Sequence, residues 1–367
     1  MNATTIATIE HAFRPLITQL PAKTVISIYS KGRVRFLKKL TEDIPRATYT
    51  PKEELARTLW GIHFKSPIMN AAGMFKNGEC YEMVAKQGAA GYLGGTGTWT
   101  PRSGNEKDKI KLPFVPYPKS HAASNWLGLP NDGDQINSLR ASKIERITDT
   151  PVGWSLIGSP NFKGKEKLQH LIQSMKLYHN SGIDFLEISE SCPNTNHSSP
   201  QENTLTGRLT YIQQHFLNQR TRRLPVIVKF SNDTHAVQVP PLLDLLFELG
   251  YDGVNFGNTS TAYHQRVQHI ESPERKTFNY FTTTFGGGIS GRPLKESSLE
   301  LASRAVEYVH AGPPSQEFHV IRTGGIENAA DIEYSERAGI SLNEWFTGYF
   351  EQFARYGHEV YQQLLEK

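Results

Sequence analysis

Eight short apolar runs recur along this chain, most of them followed by a stretch with helical spacing, and that alternation leaves few folds open. The runs lie at 67–72, 90–95, 152–157, 184–189, 225–230, 252–256, 318–323 and 342–347. Between them, 165–178, 241–249, 298–309 and 329–338 place apolar residues at the three- and four-residue steps of a helix. Few of the runs alternate polar with apolar, so the expected strands are buried on both faces, as in a parallel sheet covered by helices. A doubly wound sheet alternates in the same way, but no strand-Gly-x-Gly-x-x-Gly-helix unit for a dinucleotide is present. The expected fold is a (β/α)8 TIM barrel. Such a barrel needs ~250 residues, so a chain of 367 leaves room for an appendage.

The appendage is N-terminal. Ile9, Phe13, Leu16, Ile17 and Leu20 recur at helical spacing before Pro21. Residues 25–40 then mix Ile26, Ile28, Val34, Phe36 and Leu37 with Lys31, Arg33, Arg35, Lys38 and Lys39. Residues 1–48 are therefore expected as a helical extension of two short amphipathic helices, and 49–367 as the barrel domain. Such helices either pack on the barrel or lay a basic face on a membrane surface, and both readings stay open. With 38% hydrophobic and 10% aromatic residues the chain is too apolar for disorder. No stretch approaches the ~20 apolar residues of a membrane span, and the N-terminus lacks a signal-peptide core. A net charge of +4 is too small to argue for nucleic acid. Cys80 and Cys192 are the only cysteines, too few for a disulfide framework, so a cytoplasmic protein is expected, with peripheral membrane contact through 1–48 left open.

In such a barrel, chemistry gathers where strands end and the following loops begin. After the first run, Asn70-Ala71-Ala72-Gly73-Met74-Phe75-Lys76-Asn77-Gly78-Glu79 offers small residues to a flat ligand and Lys76 to an anion. Taken as structure alone it is a loop entering a helix. Thr323-Gly324-Gly325-Ile326-Glu327-Asn328 follows the seventh run, and Thr347-Gly348 ends the eighth. Backbone N–H groups there, at a helix N-terminus, make a phosphate cradle. Cys192, in Ser191-Cys192-Pro193-Asn194, sits in a polar loop rather than among the aliphatic neighbours of a structural cysteine. It is a candidate base or nucleophile; with no second Cys and no suitable His spacing, a metal site is not expected.

Together these motifs resemble the dihydroorotate dehydrogenase family, FMN enzymes on a β/α barrel. The likeness runs from about Trp60 to Gly348. It includes Ala-Ala-Gly…Lys-Asn-Gly-Glu, Gly-Thr-Gly-Thr-Trp-Thr-Pro…Gly-Asn, Asn125-Trp-Leu-Gly-Leu-Pro-Asn131, Ser-Cys-Pro-Asn, Val-Lys229, Gly-Gly-Ile-Ser-Gly-Arg-Pro-Leu and Thr-Gly-Gly-Ile. The resemblance implies oxidation of dihydroorotate to orotate in pyrimidine synthesis. Cys192 would take the proton from carbon 5 while carbon 6 passes hydride to flavin N5. Lys229 would stand near flavin N1, where negative charge appears on reduction. Ala72, Gly73 and Lys76 would touch the flavin, with Lys76 also reaching the substrate. Asn125, Gly128, Leu129, Ser189, Asn194, Asn258 and Thr259 would shape the orotate site. Gly324, Gly325, Thr347 and Gly348 would cradle the phosphate, and Gly291 and Thr98 would add flavin contacts.

The chain also departs from the family pattern. Ser189 stands where the family usually has Asn, a shorter group with one donor in place of two. Glu190 replaces an apolar residue, and Arg322 stands where a small one is common. The cysteine and Gly-Leu-Pro-Asn resemble the soluble branch, which reduces fumarate or another soluble acceptor. Ser-Gly-Arg-Pro-Leu and the N-terminal extension resemble the membrane-associated branch, which reduces a quinone. The acceptor, quinone or fumarate, stays open at this stage, as does a homodimer. Two other readings also remain: an FMN barrel acting on another cyclic amide, and a barrel that binds phosphate ligands without chemistry.

Overall fold

A computed structural model describes residues 1–147, 149–190 and 204–366. Eight parallel strands form its central sheet: β1 Ile68–Asn70, β2 Tyr92–Gly97, β3 Val152–Leu156, β4 Phe185–Ser189, β5 Val226–Ser231, β6 Gly253–Asn258, β7 His319–Thr323 and β8 Leu342–Trp345. Every apolar run of the sequence supplies one strand. The hydrogen-bonded order is β1-β8-β7-β6-β5-β4-β3-β2, so chain neighbours are sheet neighbours throughout. The remaining gap closes where Gly73 N–H donates to the Gly95 carbonyl (2.7 Å) and Gly95 N–H to the Phe75 carbonyl (3.1 Å). The result is the expected barrel.

The two-residue period of the strands sorts the barrel interior into layers. Leu93, Phe185, Ile227, Ile321 and Leu342 form an apolar plug with Trp60 and Phe64 of a hairpin (Arg57–Leu59 with Ile62–Phe64) beneath it. Phe185 fits there because Gly153 faces it: a Cβ at 153 would stand 2.2 Å from the ring. Two residues along each strand the interior turns polar, with Ser155, Glu187, Lys229, Asn255, Thr323 and Glu344 all buried. Above that layer the strands open into loops. Outside the barrel, strands and helices share the main core, where Trp154 stacks on Tyr178 with ring centroids 4.9 Å apart.

The N-terminal segment folds as α1 (Ala3–Ile17) and α2 (Ala22–Leu40), separated by Pro21. Both pack on the barrel. Arg14 of α1 pairs with Glu351 of the last barrel helix, and Val25, Ile26 and Tyr29 of α2 join Val115, Tyr117, Phe278 and Phe281 in a second core. Ile9, Phe13, Leu16, Leu20, Ile28 and Val34 remain exposed, in company with Lys31, Arg35 and Lys38. Among the described residues no helix is long and apolar enough to cross a membrane. An antiparallel sheet of Phe114–Tyr117, Ala122–Asn125 and Gly288–Gly291 also lies outside the eight-run pattern. Its third strand, Gly288–Gly291, pairs with Ala122–Asn125 from more than a hundred residues away, which no local period reveals.

Candidate active site

A cavity lies at the C-terminal ends of the strands, and it gathers most of the residues singled out above. Ala72, Gly73 and Lys76 line it after β1, Lys229 from β5, and Gly291 from the antiparallel sheet. Gly324 and Gly325 after β7, with Thr347 and Gly348 after β8, form one wall; Asn125, Leu129, Asn258 and Thr259 form another. Ser189 joins through Asn258, whose Nδ2 donates to its hydroxyl (3.1 Å). Cys192 and Asn194 lie outside the described residues.

Two expected contacts are placed differently. Thr98 is fully buried in its own loop, donating to the Thr100 carbonyl (2.8 Å) and accepting from Asn131 (2.7 Å). Thr96 lines the cavity instead, because the β2–β3 register shifts between Gly95 and Gly97 and re-aims that side chain. Gly128 does not line the cavity either. Its carbonyl accepts from Arg102 (3.1 Å), and a Cβ there would meet Asn105 at 2.2 Å, so its role is to seat the 125–131 loop.

The phosphate wall is drawn together by close backbone approach. Gly325 has φ +71°, and a Cβ on it would stand 2.3 Å from the Lys295 Cα; a Cβ on Gly348 would stand 2.2 Å from the Ile326 carbonyl. The helix after β7, Ala329–Arg337, begins with its own cap: Asn328 accepts from Asp331 N–H, and Asp331 accepts from Glu327 N–H (2.8 Å). Those amides are therefore engaged internally, and the glycines before them, Gly324 and Gly325, stand apart from that cap. The helix after β8, Thr347–Tyr356, has no side-chain cap, so its first amides face the wall unblocked by one. Lys295 reaches Glu327 (2.7 Å) and Asp331 (3.0 Å), and Arg292 and His121 also bind Glu327. Burial alone would raise the Glu327 carboxyl, but hydrogen bonds from His121, Arg292 and Lys295 hold it well below the usual carboxylate range.

Beneath the cavity, the Lys229 ammonium lies 2.5 Å from Glu344 and 3.3 Å from Glu187. Burial works against its charge, yet the two carboxyls outweigh that and raise its pKa. Asn255 donates to Glu187 (3.0 Å) and Thr323 to Glu344 (3.0 Å). The motif reading found Lys229 but not the two acids, whose signal is a lone Glu inside an otherwise uncharged strand core. Glu190 and Arg322 are absorbed structurally. Glu190 pairs with Arg208 (2.7 Å), and Arg322 is fully buried among Ser298, Ser335 and the carbonyls of Lys295 and Asp331.

A second, mostly apolar cavity of about 260 Å³ runs between α1, α2 and the helix Thr347–Tyr356, with Ile28, Phe36, Leu37, Phe346 and Phe350 along it. It meets the first at Arg33, Phe114, Gly291, Ile326, Phe346, Thr347 and Gly348. Arg33 thus turns inward, away from the basic surface to which its position in the sequence assigned it. Its Nη2 is buried with no hydrogen-bond partner, and its guanidinium lies 6.0 Å from the Phe114 ring.

Comparison with known proteins agrees with this geometry. A family model described as dihydroorotate dehydrogenase matches residues 54–367. A curated dihydroorotate dehydrogenase (quinone) of Pectobacterium carotovorum is 30% identical over 328 residues, covering 84% of this chain and 89% of that one. One of Arthrobacter sp. is 28% identical, covering 92% and 89%. In fold, the chain matches the crystal structure of the Eimeria tenella enzyme in complex with ferulenol at a TM-score of 0.75 and 23% identity, covering 92% of this chain and 89% of that one. This chain belongs to the dihydroorotate dehydrogenase family, flavin-dependent barrels that oxidise dihydroorotate to orotate in pyrimidine biosynthesis.

Proposed function

We propose that the chain performs this oxidation with FMN and passes the electrons to a quinone that enters between residues 1–48 and the barrel. The observation that carries the proposal is the meeting of the two cavities. A glycine-walled site lined by Lys76 and Lys229 opens directly into an apolar channel built by α1 and α2.

The residues fit FMN. Its phosphate suits the Gly324–Gly325 and Thr347–Gly348 wall, where side chains at 325 and 348 have no room. Lys229 offers a fixed cation to the ring. FMN, when bound, supplies the two-electron acceptor for the substrate hydride. The chain supplies the rest. Lys76, Asn125, Asn258 and Thr259 hold the substrate, a cyclic acid whose carboxylate suits Lys76. Ser189, tied to Asn258, contributes one hydroxyl where the family usually has an amide, so Asn258 is the longer-reaching group on that wall. Cys192, three residues past the end of β4, is the base for the carbon 5 proton. A free thiol has a pKa of ~8.5, so its thiolate fraction grows with pH through the neutral range.

At the channel junction, Arg33 is the one cationic group among the described residues shared by both cavities, and a quinone carbonyl is an acceptor suited to its unpaired N–H. The exposed Phe13, Leu16 and Leu20 beside basic α2 residues suit contact with the membrane surface where such acceptors dissolve. The test is sequential anaerobic mixing. Dihydroorotate should bleach the flavin, and a water-soluble quinone analogue should then restore its colour faster than fumarate does. Equal or faster reoxidation by fumarate would reject the quinone assignment.

A further inference from the structure

Lys229 is matched by two carboxyls rather than one, and all three side chains are almost completely buried. Both carboxyls close on the same ammonium, Glu344 Oε2 at 2.5 Å and Glu187 Oε2 at 3.3 Å. Two ionised carboxylates against one ammonium would leave a net negative charge in a layer closed to water, and one proton held between the two acids removes it. Asn255 Nδ2 donates to Glu187, and the Thr323 hydroxyl, with one proton, faces both Glu344 and Asn255 Oδ1 at 3.0 Å. The buried charged groups of this layer are Lys229, Glu187 and Glu344. Glu344 and Lys229 also line the cavity, so the layer is its floor.

We propose that Glu344, sharing one proton with Glu187, is a positioning residue that holds Lys229 and sets the charge beneath the flavin. With the proton in place the floor is neutral: one ammonium, one carboxylate, one carboxylic acid. Once the proton is lost to solvent the floor carries one negative charge, and adding electrons to the ring above becomes harder. Burial, followed by the charge of Glu187, pushes the Glu344 carboxyl up to about 8, against the opposing pull of Lys229. The changeover therefore falls in the neutral-to-alkaline range. This inference rests on the FMN reading above.

The test is the midpoint potential of the bound flavin against pH, in the parent protein and in Glu344→Gln. Glutamine has the shape and charge of the protonated acid. Below the changeover the two potentials should coincide; above it the parent should bend to lower potential while Glu344→Gln stays on its original line. Glu187→Gln should also remove the bend, because it too leaves one carboxylate for one ammonium. In the parent alone, the infrared band of a protonated carboxyl should persist at neutral pH and disappear with the bend. Parallel potential lines for parent and both variants, or no such band, would overturn the inference while leaving the flavin assignment intact. A protein that binds no flavin would instead remove the reading on which it rests.

Discussion

Gly325 offers the cleanest perturbation of the phosphate wall. Its φ of +71° costs a residue with a Cβ about 1–2 kcal/mol. The larger effect is collision. A Cβ there would stand 2.3 Å from the Lys295 Cα and 2.5 Å from its N, backbone atoms that no rotamer can move aside. The 324–326 loop must shift away from Lys295, and with it the amides that face the cavity. Losing two hydrogen bonds to a charged phosphate, at ~1.5 kcal/mol each, comes to about 3 kcal/mol. That is roughly a hundredfold in the dissociation constant of FMN. Gly250→Ala is the matched control: its φ is +72°, with nothing within 4 Å of the new Cβ. Equilibrium dialysis of FMN against flavin-stripped protein should show the loss in Gly325→Ala and parent-like binding in Gly250→Ala. Equal affinities would mean that the phosphate does not sit on this wall.

Three further outcomes are expected. Lys229→Ala leaves Glu187 and Glu344 buried without their cation, which should cost about 3–5 kcal/mol by denaturant unfolding and slow flavin bleaching; native stability would show the pair is not coupled as drawn. Arg33→Gln should keep bleaching by dihydroorotate yet slow reoxidation by the quinone analogue, and an unchanged second phase would remove Arg33 from the acceptor site. Asp134 is fully buried, and its carboxyl is pushed up to about 6, first by burial, against hydrogen bonds from Ser174 and Tyr178. A folded-state value above the unfolded one means its contribution is complete below pH ~4 and is lost as pH rises through about 6. Unfolding free energy should therefore fall across that window, and the Asp134→Asn variant should lack that component of the slope.

Each barrel strand was legible because its residues are buried on both faces. A run such as Val226–Lys229 has to be apolar whichever way each side chain points, except where the interior is polar. The same burial hid the floor of the site: Glu187 and Glu344 read as ordinary acids until β4, β5 and β8 bring them around one ammonium. Gly325 and Gly348 were visible because close backbone approach leaves no alternative residue. Thr96 was not, because its direction depends on the irregularity in β2, and Thr98 stood two positions away with equal claim. Arg33 sits in a run of basic residues, and only the packing of α2 on Phe114 separates it from its surface neighbours.

The central claim, that this cavity oxidises dihydroorotate with Cys192 as base, is tested most directly by anaerobic stopped-flow mixing with dihydroorotate. The account predicts full bleaching of one flavin per chain with orotate formed in equal amount. Cys192→Ala should stay yellow on purification and bleach ~10²–10⁴-fold more slowly, the usual worth of a positioned base. A flavin that stays oxidised at saturating dihydroorotate, or a Cys192→Ala protein that bleaches as fast as its parent, would contradict it.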